Sequence, residues 1–307
     1  MIEPEAIKRA YGRLREIYVD LDKEFMRNKQ FRMNHNPIKQ AFDLAETKDC
    51  VLKSTNIMSA SLPSGNIAKV ISIDDVTGIT NETIVYTDRH MRTTVRENIG
   101  LTPIRCGIMA ALAAELNYPI NRMTKVGFIG NGNINQRTME VLNILFGIES
   151  CVIRGSKENR SKNIEKFEDI LHGRGTIVVD DTDDFRWLNE CEVVFCCTSS
   201  YKKEDMLSAD TLKNPAVIVA QDSGYLLDES FRKGIGRVSF TDHEEQLFEH
   251  YRSEFPYDRR IRRFSTMCYE SEASYKKAVY LYGVAIADLI VFEEFFNINN
   301  EKRGANV

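Results

Sequence analysis

Two rhythms of apolar positions run along the chain. Between Pro4 and Phe25, the residues Ile7, Tyr11, Leu14, Tyr18, Leu21 and Phe25 recur at helical intervals, with charged residues of both signs between them. That pattern predicts an amphipathic helix covering another element. Later the rhythm changes. The apolar run from Lys125 to Ile129 meets Gly130-Asn-Gly132, after which Met139, Leu142 and Phe146 return to helix spacing, so the segment reads strand, tight turn, helix. Further short apolar runs at Ser150 to Arg154, Thr176 to Asp180, Val193 to Cys197 and Ala216 to Ala220 predict strands. Ile164, Phe167, Ile170 and Leu171, and then Phe185 to Leu188, predict helical connections between them. Buried strands alternating with amphipathic helices are the pattern of a doubly wound parallel sheet.

Ahead of that region, Lys69 to Ile73 and Glu82 to Thr87 read as strands, whereas Val51 to Ser64 alternates too irregularly to assign. Thr102 is placed to cap a helix whose first turn carries Pro103 and Arg105, and the helix continues through Met109 to Leu116. Arg237 to Asp242 reads as an edge strand. Ser274 to Phe295 shows a helical pattern interrupted at Gly283 and is expected to return to the first domain. The predicted architecture is α/β: a Rossmann-type nucleotide domain over residues 120–281 and a second α+β domain built from both chain ends, residues 1–119 and 282–307.

Composition narrows the function classes. A chain of 307 residues with 43% hydrophobic residues can bury a large core, and a net charge of −4 gives no general attraction to nucleic acid or anionic membrane. No apolar run reaches membrane-spanning length and no basic leader opens the chain, so a cytoplasmic location is expected. The seven cysteines form no CxxC pair and the five histidines show no metal-ligand spacing, so a reducing compartment and no metal are expected.

The candidate chemistry centres on the glycine turn. Gly130 permits the turn, and Gly132 lets the backbone approach a pyrophosphate at a helix start formed by Asn133 and Ile134. Asn135 occupies the third glycine position and predicts a slightly looser start to the helix. Where an NAD-preferring domain commonly carries an acid, this chain reads Arg154-Gly-Ser156-Lys157 followed by Arg160. These groups suit a 2′-phosphate, giving a preference for NADP(H), with a solvated basic loop beside an NAD(H) site as the alternative. Thr198, Ser199 and Ser200 follow the fourth strand, where their hydroxyls could position the nicotinamide amide or simply form a polar turn. Asp222 is either an active-site acid or a turn cap. Asp242 is placed to orient an amine or exchange a proton and His243 to move one, against the alternative of a solvated helix.

On the other side of the cleft, Lys69 could reach an acid substrate or stand on the surface. Arg105 could hold a substrate carboxylate beside unpaired helix N–H groups, or pair with an internal acid. Arg32 and His35 lie in a break of periodicity that is either a ligand-facing loop or a linker.

In combination, Lys69, Leu101-Thr-Pro-Ile-Arg-Cys106, Gly130-Asn-Gly132, Val193 to Ser200, Thr241-Asp242 and Gly283-Val-Ala-Ile-Ala-Asp288 resemble the ornithine cyclodeaminase and mu-crystallin family across most of the chain. The resemblance implies a Rossmann domain plus a second domain that forms homodimers. It implies an NAD(P)-dependent oxidoreductase acting on the carbon–nitrogen centre of a small amino or imino acid, with a redox-neutral cyclodeaminase and a cofactor-binding protein without efficient turnover as alternatives. By the same likeness Lys69 and Arg105 match substrate-carboxylate positions, and Asp242 the acidic catalytic position. The chain departs from the family pattern at Cys106, where a threonine is usual, and in the Gln-Asp-Ser-Gly-Tyr run after Ala220.

Overall fold

The computed structural model describes residues 3–20, 40–43, 52–74, 80–154, 160–171, 177–179, 185–198, 207–208, 217–221, 227, 236–240, 277–281 and 285–297. The first helix, α1 (Pro4–Arg15), starts on the proline, whose missing N–H costs nothing at that position, and it buries Ala6, Ile7, Ala10 and Leu14. One π-helical stretch, Glu16–Asp20, prolongs it. The predicted continuation to Phe25 lies outside the described residues.

Five antiparallel strands then form a sheet in chain order: β1 (Gln40–Asp43), β2 (Leu52–Leu62), β3 (Gly65–Asp74), β4 (Thr80–Asp88) and β5 (Thr93–Glu97). The irregular stretch after Val51 is thus a strand of 11 residues, with a register shift between Leu52 and Ser54. Its small polar residues alternate with Met58 and Ala60, which are buried, so the inward face carries the signal and the outward face obscures it. In β4 the alternation is clean: Glu82, Ile84 and Tyr86 are buried while Val85 is exposed.

The second sheet is parallel, with strand order β11-β12-β10-β9-β6-β7-β8. Its members are β6 (Val126–Ile129), β7 (Cys151–Arg154), β8 (Ile177–Val179), β9 (Val193–Cys196), β10 (Val217–Ala220), β11 (Gly236–Phe240) and β12 (Lys277–Leu281). Strands β6, β9 and β10 are buried at every residue, which is why they read as continuous apolar runs rather than alternating ones. The chain leaves β6 toward β7 and later returns to β9 on its other side, so the topological switch lies where Ile129 pairs with Cys196. The expected edge strand is β11. The predicted helix over Ser274 to Phe295 is corrected: Lys277–Leu281 is a strand inserted between β10 and β11, and the helix begins only at Ala285. The four-residue apolar run Ala278–Leu281 is buried throughout and has no periodicity to separate it from the helix that follows.

Four helices matter for the site. α2 (Leu101–Glu115) crosses α3 (Asn133–Phe146) closely, because Gly107 lies so near the Arg137 backbone that a Cβ there would stand 3.0 Å from its carbonyl. α4 (Arg160–Leu171) packs beside α3. The last, α5 (Ala285–Phe292), is buried at all eight residues and lies against β2, β3, α1 and α2, so the C-terminal segment completes the core of the N-terminal domain. Among the described residues, Phe185–Glu190 is a 3-10 turn where a helix was expected.

Candidate functional site

Lys69 sits in the middle of β3, paired with Met58 on β2 and Ile84 on β4, and it points inward between Ile67 and Ile71. It is fully buried, so neither a surface lysine nor a strand-start lysine describes it. Its Nζ donates to Thr102 Oγ1 at 3.2 Å and to Asp288 Oδ1. Arg105 Nε donates to the same Asp288 oxygen at 3.1 Å. Asp288 thus holds both cations through one oxygen, while its buried Oδ2 has no hydrogen-bond partner among the described residues. Burial pushes the Lys69 ammonium below the ordinary lysine range and Arg105 pushes the same way, with Asp288 opposing them. For Arg105, burial works against the charge, yet Asp288 and its other neighbours hold its pKa above the ordinary arginine value. The guanidinium is therefore the permanent charge of the pair.

The start of α2 differs from the expectation. Gly100, with φ +72°, is the N-cap, and Thr102 and Pro103 are the second and third helical residues. Arg105 lies one turn in. The first N–H groups are not open to a ligand: the Leu101 and Thr102 amides each donate to the Glu82 carboxylate at 3.1 Å, and the Thr102 hydroxyl also donates to it. A carboxylate supplied by β4 thus does the capping that a residue before the helix usually does, and it satisfies the helix dipole from within. The internal ion pair considered for Arg105 is present, with Asp288. Its Nη1 and Nη2 nonetheless bond to none of the described residues.

The glycine turn has the geometry of a phosphate cradle. Gly130 adopts φ +94° and its N–H donates to the Arg154 carbonyl at 2.7 Å, while Cys197 N–H donates to the Ile129 carbonyl at 2.9 Å. Gly132 is the N-cap of α3, without a side-chain cap, and a Cβ built there would meet nothing within 4 Å. Between the two, Asn131 has a buried amide nitrogen with no partner among the described residues. An open glycine, an uncapped helix start and an orphaned donor together fit a bound diphosphate. Asn135 does not loosen the start of α3. Fully buried, its amide donates to the Ile129 carbonyl at 2.9 Å and the Gly130 carbonyl at 2.7 Å, and its Oδ1 accepts from Gln221 Nε2 at 3.2 Å. Asn135 ties the turn down, and Gln221 joins it to the end of β10.

Arg154 ends β7, its guanidinium 4.0 Å above the Phe185 ring, so the predicted phosphate ligand rests on an aromatic platform. Asn133 and Ile134 open α3, Arg160 opens α4, and Thr198 follows β9, half-buried. Arg32, Ser156, Ser199, Ser200, Asp222, Asp242 and His243 lie outside the described residues. Sequence reasoning assigned no part to Glu82, Asn131, Gln221 or Asp288. For Asp288 a signal existed: it is the one acid in the otherwise apolar stretch Ala285–Phe292. Among the described residues no group of His, Cys, Asp and Glu is arranged to hold a metal, and no helix is long and apolar enough to cross a membrane.

No family model and no curated protein matches the chain. Solved structures do. A lysine cyclodeaminase, described with L-lysine, L-ornithine and L-2,4-diaminobutyric acid, superposes with TM-score 0.72 at 16% identity, covering 98% of this chain and 88% of that one. The Thermococcus litoralis Δ1-pyrroline-2-carboxylate reductase, in complex with NADH and L-proline, gives TM-score 0.72 at 14% identity over 98% of this chain and 93% of that one. An archaeal alanine dehydrogenase dimer with bound NAD gives TM-score 0.70 at 17% identity, covering 98% and 93%.

Proposed function

We propose that this chain, which has the fold of the ornithine cyclodeaminase and mu-crystallin superfamily, is an NAD(P)-dependent oxidoreductase acting on the carbon–nitrogen centre of a small amino or imino acid. One observation carries the reading. Gly107, two residues beyond Arg105 on the same helix, packs against α3 at Arg137 in its second turn while Arg105 faces Asp288 of α5, so α2 alone links the guanidinium to the helix that follows the glycine turn. An acid anchor is thereby tied to a dinucleotide cradle.

In this reading Gly130, Gly132 and the opening N–H groups of Asn133 and Ile134 hold the diphosphate, and Thr198, Ser199 and Ser200 the nicotinamide end. Arg105 takes the substrate carboxylate through its terminal nitrogens, with Lys69 behind it supplying positive field. Asp242, or Asp222, binds the amino group or moves its proton, and Arg32 adds a second contact to the acid. When bound, the nicotinamide supplies the hydride chemistry at the substrate carbon. The protein's share is alignment in a buried, charged setting. Consumption of NADH or NADPH with 1-pyrroline-2-carboxylate, or with pyruvate plus ammonium, is the expected result. Conversion of L-ornithine to L-proline and ammonium without net nucleotide turnover would instead assign a cyclodeaminase. Nucleotide binding without turnover of any of these would assign a binding protein.

For the cofactor we favour NADP(H), held by Arg154, Ser156 and Arg160. Arg154→Ala removes a charge-assisted contact worth about 1.5–3 kcal/mol, so NADPH affinity should fall roughly 10- to 100-fold with NADH affinity little changed. Fluorescence titration checks this, and an unchanged ratio assigns the basic loop to solvent.

A homodimer is part of the same proposal. On the outward face of the antiparallel sheet Val85 and Val95 stand directly opposite one another, 37% and 53% exposed, flanked by the Thr87–Thr93 pair. Sedimentation should give a dimer for wild type and a monomer for Val95→Glu. A monomeric wild type would leave that face to solvent.

A further inference from the structure

Asp288 stands at the junction of the acid anchor and the returning chain end. Its side chain is 1% exposed, and one of its oxygens receives both Lys69 Nζ and Arg105 Nε. The two cations come from different elements, β3 and α2, and both are paired with Asp288 of α5. Two like charges brought into one buried space repel, and neither has another carboxylate within ion-pair distance among the described residues. The nearest alternative, Glu82, is spent on the α2 amides and Thr102.

We infer that Asp288 is a positioning residue for acid binding: by gripping Arg105 at Nε it aims the two terminal guanidinium nitrogens at the ligand, and by balancing Lys69 it keeps a second buried cation behind them. Binding through Nε alone is the geometry that leaves the outer fork of an arginine free for a carboxylate. With Lys69 protonated, the triad of two cations and one carboxylate carries a net charge of plus one, which suits a single incoming carboxylate. The inference rests on the functional reading above for the identity of the ligand as a small acid. It makes the C-terminal helix a working part of the anchor as well as a packing element.

The test compares Asp288→Asn with wild type in calorimetric titrations of L-proline, L-alanine and pyruvate against the NADH-saturated protein. The asparagine keeps shape and an acceptor oxygen but loses the charge. Acid affinity should fall at least about 10-fold while NADH affinity stays within about twofold, a split that a general loss of packing would not give. The pH profile provides a second readout. Lys69 faces Asp288 from α5 and Arg105 and Cys106 from α2, with Glu82 of β4 beyond, and Asp288 is the chief group favouring its protonated form. Removing that charge should move the alkaline loss of acid binding to lower pH.

If Asp288→Asn does not fold, Lys69→Met and the double variant Lys69→Met/Asp288→Asn replace it, since the double variant leaves only Arg105 buried. The double variant should bind the acid at least about 10-fold more weakly than Lys69→Met alone, because Arg105 has lost its grip at Nε. Equal affinities in either comparison overturn the positioning role and leave the functional reading standing. Failure of wild type to bind any of the three acids while binding NADH overturns both.

Discussion

Gly130→Ala should unfold the nucleotide turn, while Gly132→Ala, two residues away, should leave stability untouched and weaken nucleotide binding. At Gly130 the backbone has φ +94°, a region an alanine adopts only at a cost of about 1–3 kcal/mol. A Cβ there would also stand 2.0 Å from the Cys197 carbonyl oxygen, which is backbone at the end of a buried strand and cannot swing aside. Strain and overlap together should cost about 3 kcal/mol or more, read as a shift in the denaturation midpoint. At Gly132 the backbone is extended, with φ −73° and ψ 175°, and the added carbon meets no atom of the protein within 4 Å. Its effect falls on whatever lies against the start of α3. A loss of NADH affinity of roughly 10-fold or more at unchanged stability is expected, consistent with a displaced phosphate contact. Equal destabilisation by both substitutions would mean the second glycine serves packing, and unchanged NADH binding in Gly132→Ala would remove the diphosphate from this turn.

The contrast between these two glycines shows which features sequence patterns express. The parallel sheet was legible because β6, β9 and β10 are short apolar runs and because α3 and α4, of clear period, lie between β6 and β9. Both features follow from burial on two faces. The strand β2 was not, because Ser59 and Ser61 alternate with small residues and blur the period of two. Nor was β12, whose four apolar residues Ala278 to Leu281 run toward an equally apolar helix with only three residues between. In the candidate site, Lys69 and Arg105 were visible as residues, but their state was not. Whether a lysine is exposed or fully buried depends on which elements cover it, and α5 arrives from more than 200 positions downstream, as the Lys69–Asp288 separation of 219 shows. Glu82 was hidden for the same reason: a helix cap supplied by a neighbouring strand leaves no mark in the residues before the helix. Asn135, at the third glycine position, fastens the turn with three hydrogen bonds, which the residue type alone does not reveal.

Arg105→Ala should remove most of the acid affinity of the protein without unfolding it. Deleting one partner of a buried ion pair ordinarily costs about 3–5 kcal/mol because a charge is left alone in the interior. Here Asp288 keeps Lys69 when Arg105 is gone, so no unpaired carboxylate remains and the stability loss should stay well below that range. Lys69 should also regain its proton more readily, since Arg105 is one of the groups that depress it. The sign follows from proton counting: a lysine depressed in the folded state binds fewer protons there than when unfolded. Stability therefore rises as pH climbs from the folded value toward the ordinary lysine range. Removing Arg105 narrows that window, so the alkaline gain in stability should shrink in the variant. Ligand binding has no such compensation. Two charge-assisted hydrogen bonds from the terminal nitrogens, each worth about 1.5–3 kcal/mol, correspond to a loss of at least about 100-fold in affinity for L-proline or pyruvate. Arg105→Lys keeps a charge but loses the planar fork, and should recover only a part of that affinity. Calorimetry of the NADH-saturated protein separates the effects, because NADH binding should be the same in all three proteins. Should both variants bind the acid as wild type does, the carboxylate is held elsewhere in the cleft and Arg105 is a structural partner of Asp288 alone.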